Sequence, residues 1–478
     1  MINNIFKNIY YKSKKSKKIF LIEKNITYGE FYETTKQYLN FLKKNLKKKE
    51  VVCISSKYSL QMISLIFSCC INGNVITFLN PNSSMREKKH VIKNSGCRII
   101  FYDNSSKIMS LKNAKRLKSF KYKKLKQKNL IFNSSIQLLI YTSGTTSVPK
   151  GVMISNNAIF NNIKSIKDNL KLKSSDKTII FSPPAYAMAI SQILTAMDSM
   201  CSVVFYNHGL KFPSDLVKKI KSNKITILNL SISSFRIILK YLKKREQFLS
   251  PRIVMSGGMK YDLNDYKNFK NTFPKAKLIN FYGCTENSPR ISHCCLEKKF
   301  LYNDIFPVGK PLRNVKIKIK KKNNEEFGKI FVSGKSIMSG YLNLPSLNKE
   351  KFANNWFDTG DLGFLKGGQL YILGREDNTF SVGHEKLCPE EVETIIKKKF
   401  NISEIVITKK KDPILIWHPI CLIQKEKKEN VDKSKIENFF QKNFSSFKIP
   451  RKILFINKIP RNTYGKIDRK LIEKKVNL

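Results

Sequence analysis

No two cysteines in this chain are spaced as CxxC. The ten fall singly or as the adjacent pairs Cys69-Cys70 and Cys294-Cys295. That excludes a zinc ribbon or a thioredoxin-type redox motif and leaves small buried thiols in a reduced cytoplasm. A long apolar run is missing too. The longest, Leu60 to Ile71, is broken by Gln61 and Ser64 and falls short of the roughly 20 residues a bilayer span needs, so no membrane span is expected. The opening residues, MINNIFKNIYYKSKKSKK, hold no apolar core of the signal-peptide kind. Acidic side chains are scarce: 35 Asp and Glu against 90 Lys and Arg give a net charge of +55 at pH 7. Such a balance ordinarily points to nucleic acid or an anionic membrane. Arginine, however, supplies only 12 of the 90 basic residues, and arginine is what bidentate recognition of bases and phosphates favours. The charge therefore reads as a solvated lysine surface, and no nucleic-acid partner is expected. The few arginines become worth locating.

What is present is enough chain, 478 residues, for two or more folding units. Through residue 125, strand-like runs at 51–54, 75–78 and 98–102 alternate with helical stretches, the rhythm of an α/β layer. The lysine-dense tract from Lys107 to Lys128 is expected at the surface. Ser155 can cap a helix whose Ile159, Ile163, Ile166 and Leu170 share one face. Short apolar strands recur at 178–181, 225–230, 252–255 and 277–281. From about 308 the pattern turns to β, predicting a small barrel or sheet over runs at 315–319, 329–332 and 370–373. Beyond Arg375, a helix near Pro389, another near 433–444 and strands at 404–408, 417–423 and 452–456 predict a separate small α/β unit.

One stretch, LIYTSGTTSVPKGVMIS from Leu139 to Ser155, combines a strand, a loop of hydroxyls and glycine, and a lysine. Glycine lets backbone N–H groups converge, hydroxyls add donors and Lys150 adds charge, which is what a polyphosphate requires. It is not a Walker loop: counting from Gly144, Pro149 stands where the second glycine belongs and Gly151 where Ser or Thr belongs. Four more stretches accompany it in order: Asn280-Phe281-Tyr282-Gly283-Cys284-Thr285-Glu286, Phe357-Asp358-Thr359-Gly360-Asp361-Leu362-Gly363, Leu373-Gly374-Arg375-Glu376-Asp377, and Ile459 to Arg469 with Gly465-Lys466 inside it.

With these five motifs in this order, the chain resembles the adenylate-forming superfamily: acyl-CoA synthetases, adenylation domains of peptide synthetases, and luciferases. The resemblance covers residues from about 139 to 474 and is fainter before that. It implies an α/β fold: a large N-terminal lobe (1–375) of layered α/β subdomains plus a small β-barrel, and a small mobile C-terminal α/β domain (376–478) carrying the catalytic lysine. It implies that Thr142, Ser143, Gly144, Thr145, Thr146 and Lys150 hold the outer phosphates of ATP, and that Gly257 and Gly258 admit the adenine. Tyr282 would stack on that base, Thr285 contact the α-phosphate and Glu286 ligate Mg2+. Asp361 would accept from the ribose hydroxyls, with Arg375 beside ribose and phosphate and Asp377 at the hinge. Lys466 would bridge the attacking carboxylate and the α-phosphate, where charge grows in the transition state.

The implied activity is that of an acid–thiol ligase. A small-molecule carboxylic acid and ATP give acyl-AMP, and the acyl group passes to coenzyme A or to the phosphopantetheine of a separate carrier protein. In amino-acid-activating members an aspartate anchors the α-ammonium; here Ala189 stands at that position, which disfavours an α-amino acid. Tyr186, Met188 and Ala189 suggest an apolar acyl or aryl pocket. Arg290 and His293 remain open between a structural and a functional role. Two departures stand out: Ser147 replaces a glycine of the phosphate loop, and His384 a glycine along the thiol path. The competing expectation is a catalytically impaired protein of this fold that binds polyanions.

Overall fold

The computed structural model describes residues 4–79, 83, 85–104, 114–126, 130, 132, 135–142, 149–243, 246–257, 261, 263–302, 305–321, 326–382, 385–412, 416–425, 432–444, 446–462 and 466–477. Two sheets with parallel centres dominate the first 311 residues. In one, Val51–Ser55 lies between Val75–Phe78 and Ile99–Tyr102, Ile136–Thr142 joins in parallel, and Lys150–Ser155 returns antiparallel. In the other, Ser202–Phe205, Lys177–Ile180, Ile227–Asn229, Ile253–Gly257 and Lys277–Gly283 run parallel in that order, and Arg290–Cys295 turns back beside the last.

The apolar runs build these sheets because both faces are covered, so apolar residues stand in succession rather than at every second position. Successive side chains go to opposite cores. Ile180, Val203, Ile227, Ile253 and Ile279 enter the core between the sheets, while their neighbours Ile179, Val204, Leu228, Val254 and Leu278 enter the one behind. The other sheet repeats the pattern, with Val52, Ile54 and Ile76 inward and Val51, Cys53 and Val75 outward. The shared core also holds the helix Leu60–Asn72 and the helix Asn156–Leu170. Ser155 caps the latter as expected, its hydroxyl accepting from the Ala158 N–H at 3.1 Å.

The lysine-dense tract is not simply surface. Among its described residues, Lys115–Leu117 and Phe120–Lys124 form a hairpin paired with Ile99–Tyr102. Strand alternation turns Phe120 and Tyr122 into the core while Lys121 and Lys123 face outward. The lysines masked a strand.

Residues 315–375 form a five-stranded antiparallel sheet of Val315–Lys321, Gly328–Gly334, Trp356–Lys366, Phe352–Ala353 and Gln369–Arg375. After Arg375 a separate core gathers Val392, Ile396, Ile405, Ile407, Ile423 and Phe440 around the strands Ile405–Asp412, Ile416–Gln424 and Lys452–Ile456. Its first helix, Pro389–Lys399, opens with Pro389, Glu390 and Glu391 and closes with Lys397, Lys398 and Lys399. That charge order complements the helix dipole. Among the described residues, no helix is long and apolar enough to cross a membrane.

Candidate functional site

The site lies at the carboxyl ends of the parallel strands, where an open α/β sheet leaves its crevice. Thr142 ends one strand and pairs with Lys150 at the start of the next. The loop they frame, including Ser143, Gly144, Thr145, Thr146 and Ser147, lies outside the described residues, as do Gly258 and His384. Gly257 ends the strand Ile253–Gly257; a Cβ there would sit 2.6 Å from the Phe281 carbonyl oxygen, so glycine lets the adjacent strand pass.

Tyr282, Asp361 and Arg375 meet. The Tyr282 hydroxyl donates to Asp361 Oδ2, and Arg375 Nη1 donates to Asp361 Oδ1 at 3.0 Å and to the Thr359 carbonyl at 2.7 Å. Gly360, at φ +70, carries the chain through this turn and leaves room for Arg375, whose Nη2 would lie 2.9 Å from a Cβ there. Burial pushes the Asp361 carboxyl up, against the opposing charge of Arg375 and the Tyr282 hydrogen bond, and Lys466 is near enough for its charge to act on it too. Arg375 Nη2 also reaches Asp377 Oδ2 at 3.2 Å, tying this cluster to the expected hinge.

Thr285 and Glu286 begin a short 3-10 turn, Thr285–Asn287, just after the strand Lys277–Gly283. Glu286 Oε1 accepts from the Tyr341 hydroxyl at 2.8 Å, and the Glu286 carbonyl accepts from the Met338 N–H at 2.7 Å. The Lys150 ammonium lies 5.7 Å from the centre of the Tyr341 ring. Tyr341 thus stands between lysine and carboxylate, and no sequence motif singled it out. Its strand, Gly340–Tyr341, is two residues long and pairs with Val152 and Met153. One carboxylate combined with phosphate oxygens is a donor set of the kind magnesium takes. Among the described residues no group of three or more His, Cys, Asp or Glu could hold a metal ion.

Lys466 is exposed, on a tight loop where its N–H donates to Asn462 Oδ1 at 3.1 Å and the Asn462 N–H donates to the Lys466 carbonyl at 2.8 Å. Arg461 on the same loop binds Glu404 at 2.8 Å, and Arg236 of the large lobe also reaches Glu404 at 3.4 Å while forking onto Asp265 at 3.0 and 2.8 Å. Arg469 is structural: it grips Glu393 at 2.6 and 2.8 Å and the Ile407 carbonyl at 3.0 Å.

A cavity of about 30 Å³ lies beside this site. Met188, Ser191, Gln192 and Thr195 border it from the helix Ala187–Asp198, and Met255, Phe281 and Arg290 from the sheet. The helical spacing of those four positions explains why Met188 borders the cavity while Ala189 and Tyr186, off that stripe, do not. His293, three positions beyond Arg290 on the strand Arg290–Cys295, is pushed down to about 4 by burial and then by the Arg290 charge.

Comparison with known proteins extends these observations. The family of AMP-binding enzymes matches residues 11–342. The 2-succinylbenzoate–CoA ligase of Oceanobacillus iheyensis is 26% identical over 465 residues, covering 93% of each chain. Among solved structures, o-succinylbenzoate CoA synthetase (MenE) from Bacillus subtilis, in complex with the acyl-adenylate intermediate, superimposes with a TM-score of 0.81 at 21% identity over 98% of both chains. ATP-bound MatB from Rhodopseudomonas palustris gives 0.84 at 18% identity over 99% of both.

Proposed function

The chain belongs to the family of AMP-binding enzymes, and from that premise we propose that Lys466, Arg375, Asp361 and Glu286 serve one acid–thiol ligase site. The enzyme activates a carboxylic acid with ATP and passes the acyl group to coenzyme A. In the first step a carboxylate oxygen attacks the α-phosphorus, the bond to the β-phosphate oxygen breaks, and pyrophosphate leaves. In the second a thiol, giving up its proton, attacks the acyl carbon and AMP leaves.

The chain's own residues account for the positioning. Asp361, fixed between the Tyr282 hydroxyl and Arg375, presents an acceptor to the ribose hydroxyls. Thr142 and Lys150 frame the loop for the outer phosphates. Glu286, steadied by Tyr341, would hold magnesium together with those phosphates, and that ion supplies neutralising charge. Lys466 approaches the same nucleotide from the small lobe and offsets the negative charge that grows between carboxylate and α-phosphate. The observation that carries this reading is that Tyr282, Asp361 and Arg375, drawn from three separate motifs, meet in one hydrogen-bonded cluster at the carboxyl end of the strand Lys277–Gly283.

Residues 376–478 form the unit that turns between the steps, with Asp377 at the pivot and Lys466 withdrawn for the second. An aryl or other apolar acid of the succinylbenzoate type suits the Met188, Met255 and Phe281 walls. The compartment is a reducing cytoplasm, and a separate carrier protein is the alternative thiol donor. A polyanion-binding protein without catalysis has no observation in its favour. Acid-dependent pyrophosphate exchange followed by thioester formation with free CoA tests the reading; exchange without any thioester would favour the carrier protein.

A further inference from the structure

Arg290 is 5% exposed and borders the cavity assigned to the acid. Its Cζ lies 4.3 Å from the centre of the Phe281 ring, and Nη1 and Nη2 lie 3.5 and 3.6 Å from Met255 Sδ. Among the described residues no carboxylate pairs with it. The contrast with other arginines is sharp: Arg236 has Asp265, Arg252 has Asp176, Arg375 has Asp361 and Arg469 has Glu393. Burial lowers Arg290 only to about 10, so it remains a cation at neutral pH. A buried cation without a counter-charge is strongly unfavourable, and a guanidinium does not escape by losing its proton.

The backbone beneath this charge is fixed. The Arg290 carbonyl accepts from Asn162 Nδ2 and from Asn287 Nδ2, each at 2.8 Å, and both asparagines are fully buried. The groups that face the guanidinium across the cavity (Thr178, Ser191, Gln192, Thr195 and Asn229) are polar but uncharged, and His293 is neutral. Met255 sulfur, a weak acceptor on a flexible chain, holds the place where a stronger acceptor fits. The cavity is now the size of about one water, so Met188 and Met255 must swing aside to admit an acid.

We propose that the acid this enzyme activates carries a second carboxylate, and that Arg290 is the specificity-determining residue that receives it while the first attacks ATP. The assignment rests on the acid–thiol ligase reading of the same cavity. An apolar body must separate the two carboxylates, because Met188, Met255 and Phe281 lie along the way. The acid in the names of the relatives, 2-succinylbenzoate, has that form: a succinyl carboxylate, an aryl ketone and a ring carboxylate.

The test compares 2-succinylbenzoate with benzoylpropionate, which lacks only the ring carboxylate, alongside a panel of simple mono- and dicarboxylic acids. Pyrophosphate exchange is measured for wild type, Arg290→Met and Arg290→Lys. The expected result is a wild-type preference for the diacid of about a hundredfold or more in kcat/KM. That preference should collapse to below about tenfold in Arg290→Met, mostly through KM, and be partly kept in Arg290→Lys. Equal use of both acids by wild type, a monoacid outperforming every diacid, or equal loss on both acids in Arg290→Met would overturn the assignment while leaving the ligase reading intact. Absence of exchange with every acid would remove that reading and this one with it. If Arg290→Met does not fold, the wild-type comparison and Arg290→Lys still decide.

Discussion

The Tyr341 hydroxyl donates to Glu286 at 2.8 Å, so the carboxylate proposed to hold magnesium is oriented by a residue 55 positions further along the chain. Burial first, and then the Glu286 charge, raise the Tyr341 phenol well above its ordinary range, so it stays a donor throughout the working pH range. Tyr341→Phe removes that donor and keeps the ring. A hydrogen bond to a charged group is worth about 1.5–3 kcal/mol, so the magnesium requirement for pyrophosphate exchange should rise about tenfold or more. An unchanged magnesium titration would show that Glu286 needs no such support.

In the proposed role Asp361 accepts from the ribose hydroxyls, and it does so most strongly when ionised. Burial raises its carboxyl and Arg375 opposes that rise. Removing the cation in Arg375→Gln leaves burial less opposed, so the proton is held to higher pH. The acid limb of kcat/KM for ATP should therefore shift upward in pH, with activity lost at the low-pH side first. A limb that stays in place would contradict the pairing.

Glu404 links the two lobes, since it receives Arg461 from the Lys466 loop and Arg236 from the large lobe. Glu404→Gln weakens this link by about 1 kcal/mol, the scale of partly exposed ion pairs. Acyl-adenylate formation should fall several-fold, while thioester formation from supplied acyl-adenylate is unchanged or faster. Equal slowing of both half-reactions would instead mark a general loss of stability.

The strands were readable because their runs are continuous: Ile253, Val254 and Met255 are apolar in succession only where both faces are covered. Candidate site residues could be named from sequence only where they stand inside a motif, as Asp361 and Lys466 do. Tyr341 was not, because a two-residue strand leaves no periodicity to detect. The hairpin at Phe120 and Tyr122 hid among lysines that a strand tolerates on its outer face. The link through Glu404 joins residues 168 positions apart, and nothing local marks either end. Arg290 could not be settled from sequence for a different reason. Its significance is that no carboxylate among the described residues pairs with it, which is a fact about its surroundings in space.

Two departures from the family's pattern give a prediction that rests on sequence alone. Ser147→Gly should leave adenylation unchanged or faster, because serine is small and costs little unless the backbone there needs positive φ. His384→Gly should speed thioester formation without altering pyrophosphate exchange. A large loss of adenylation in Ser147→Gly would mean that the phosphate loop works differently from its relatives.

Acid-dependent pyrophosphate exchange in wild type and Lys466→Ala tests the central claim most directly. Exchange should appear with a dicarboxylic aryl acid and fall about a hundredfold or more in Lys466→Ala, while supplied acyl-adenylate is still converted to the CoA thioester. No exchange with any acid, or exchange undiminished by loss of Lys466, would contradict the account.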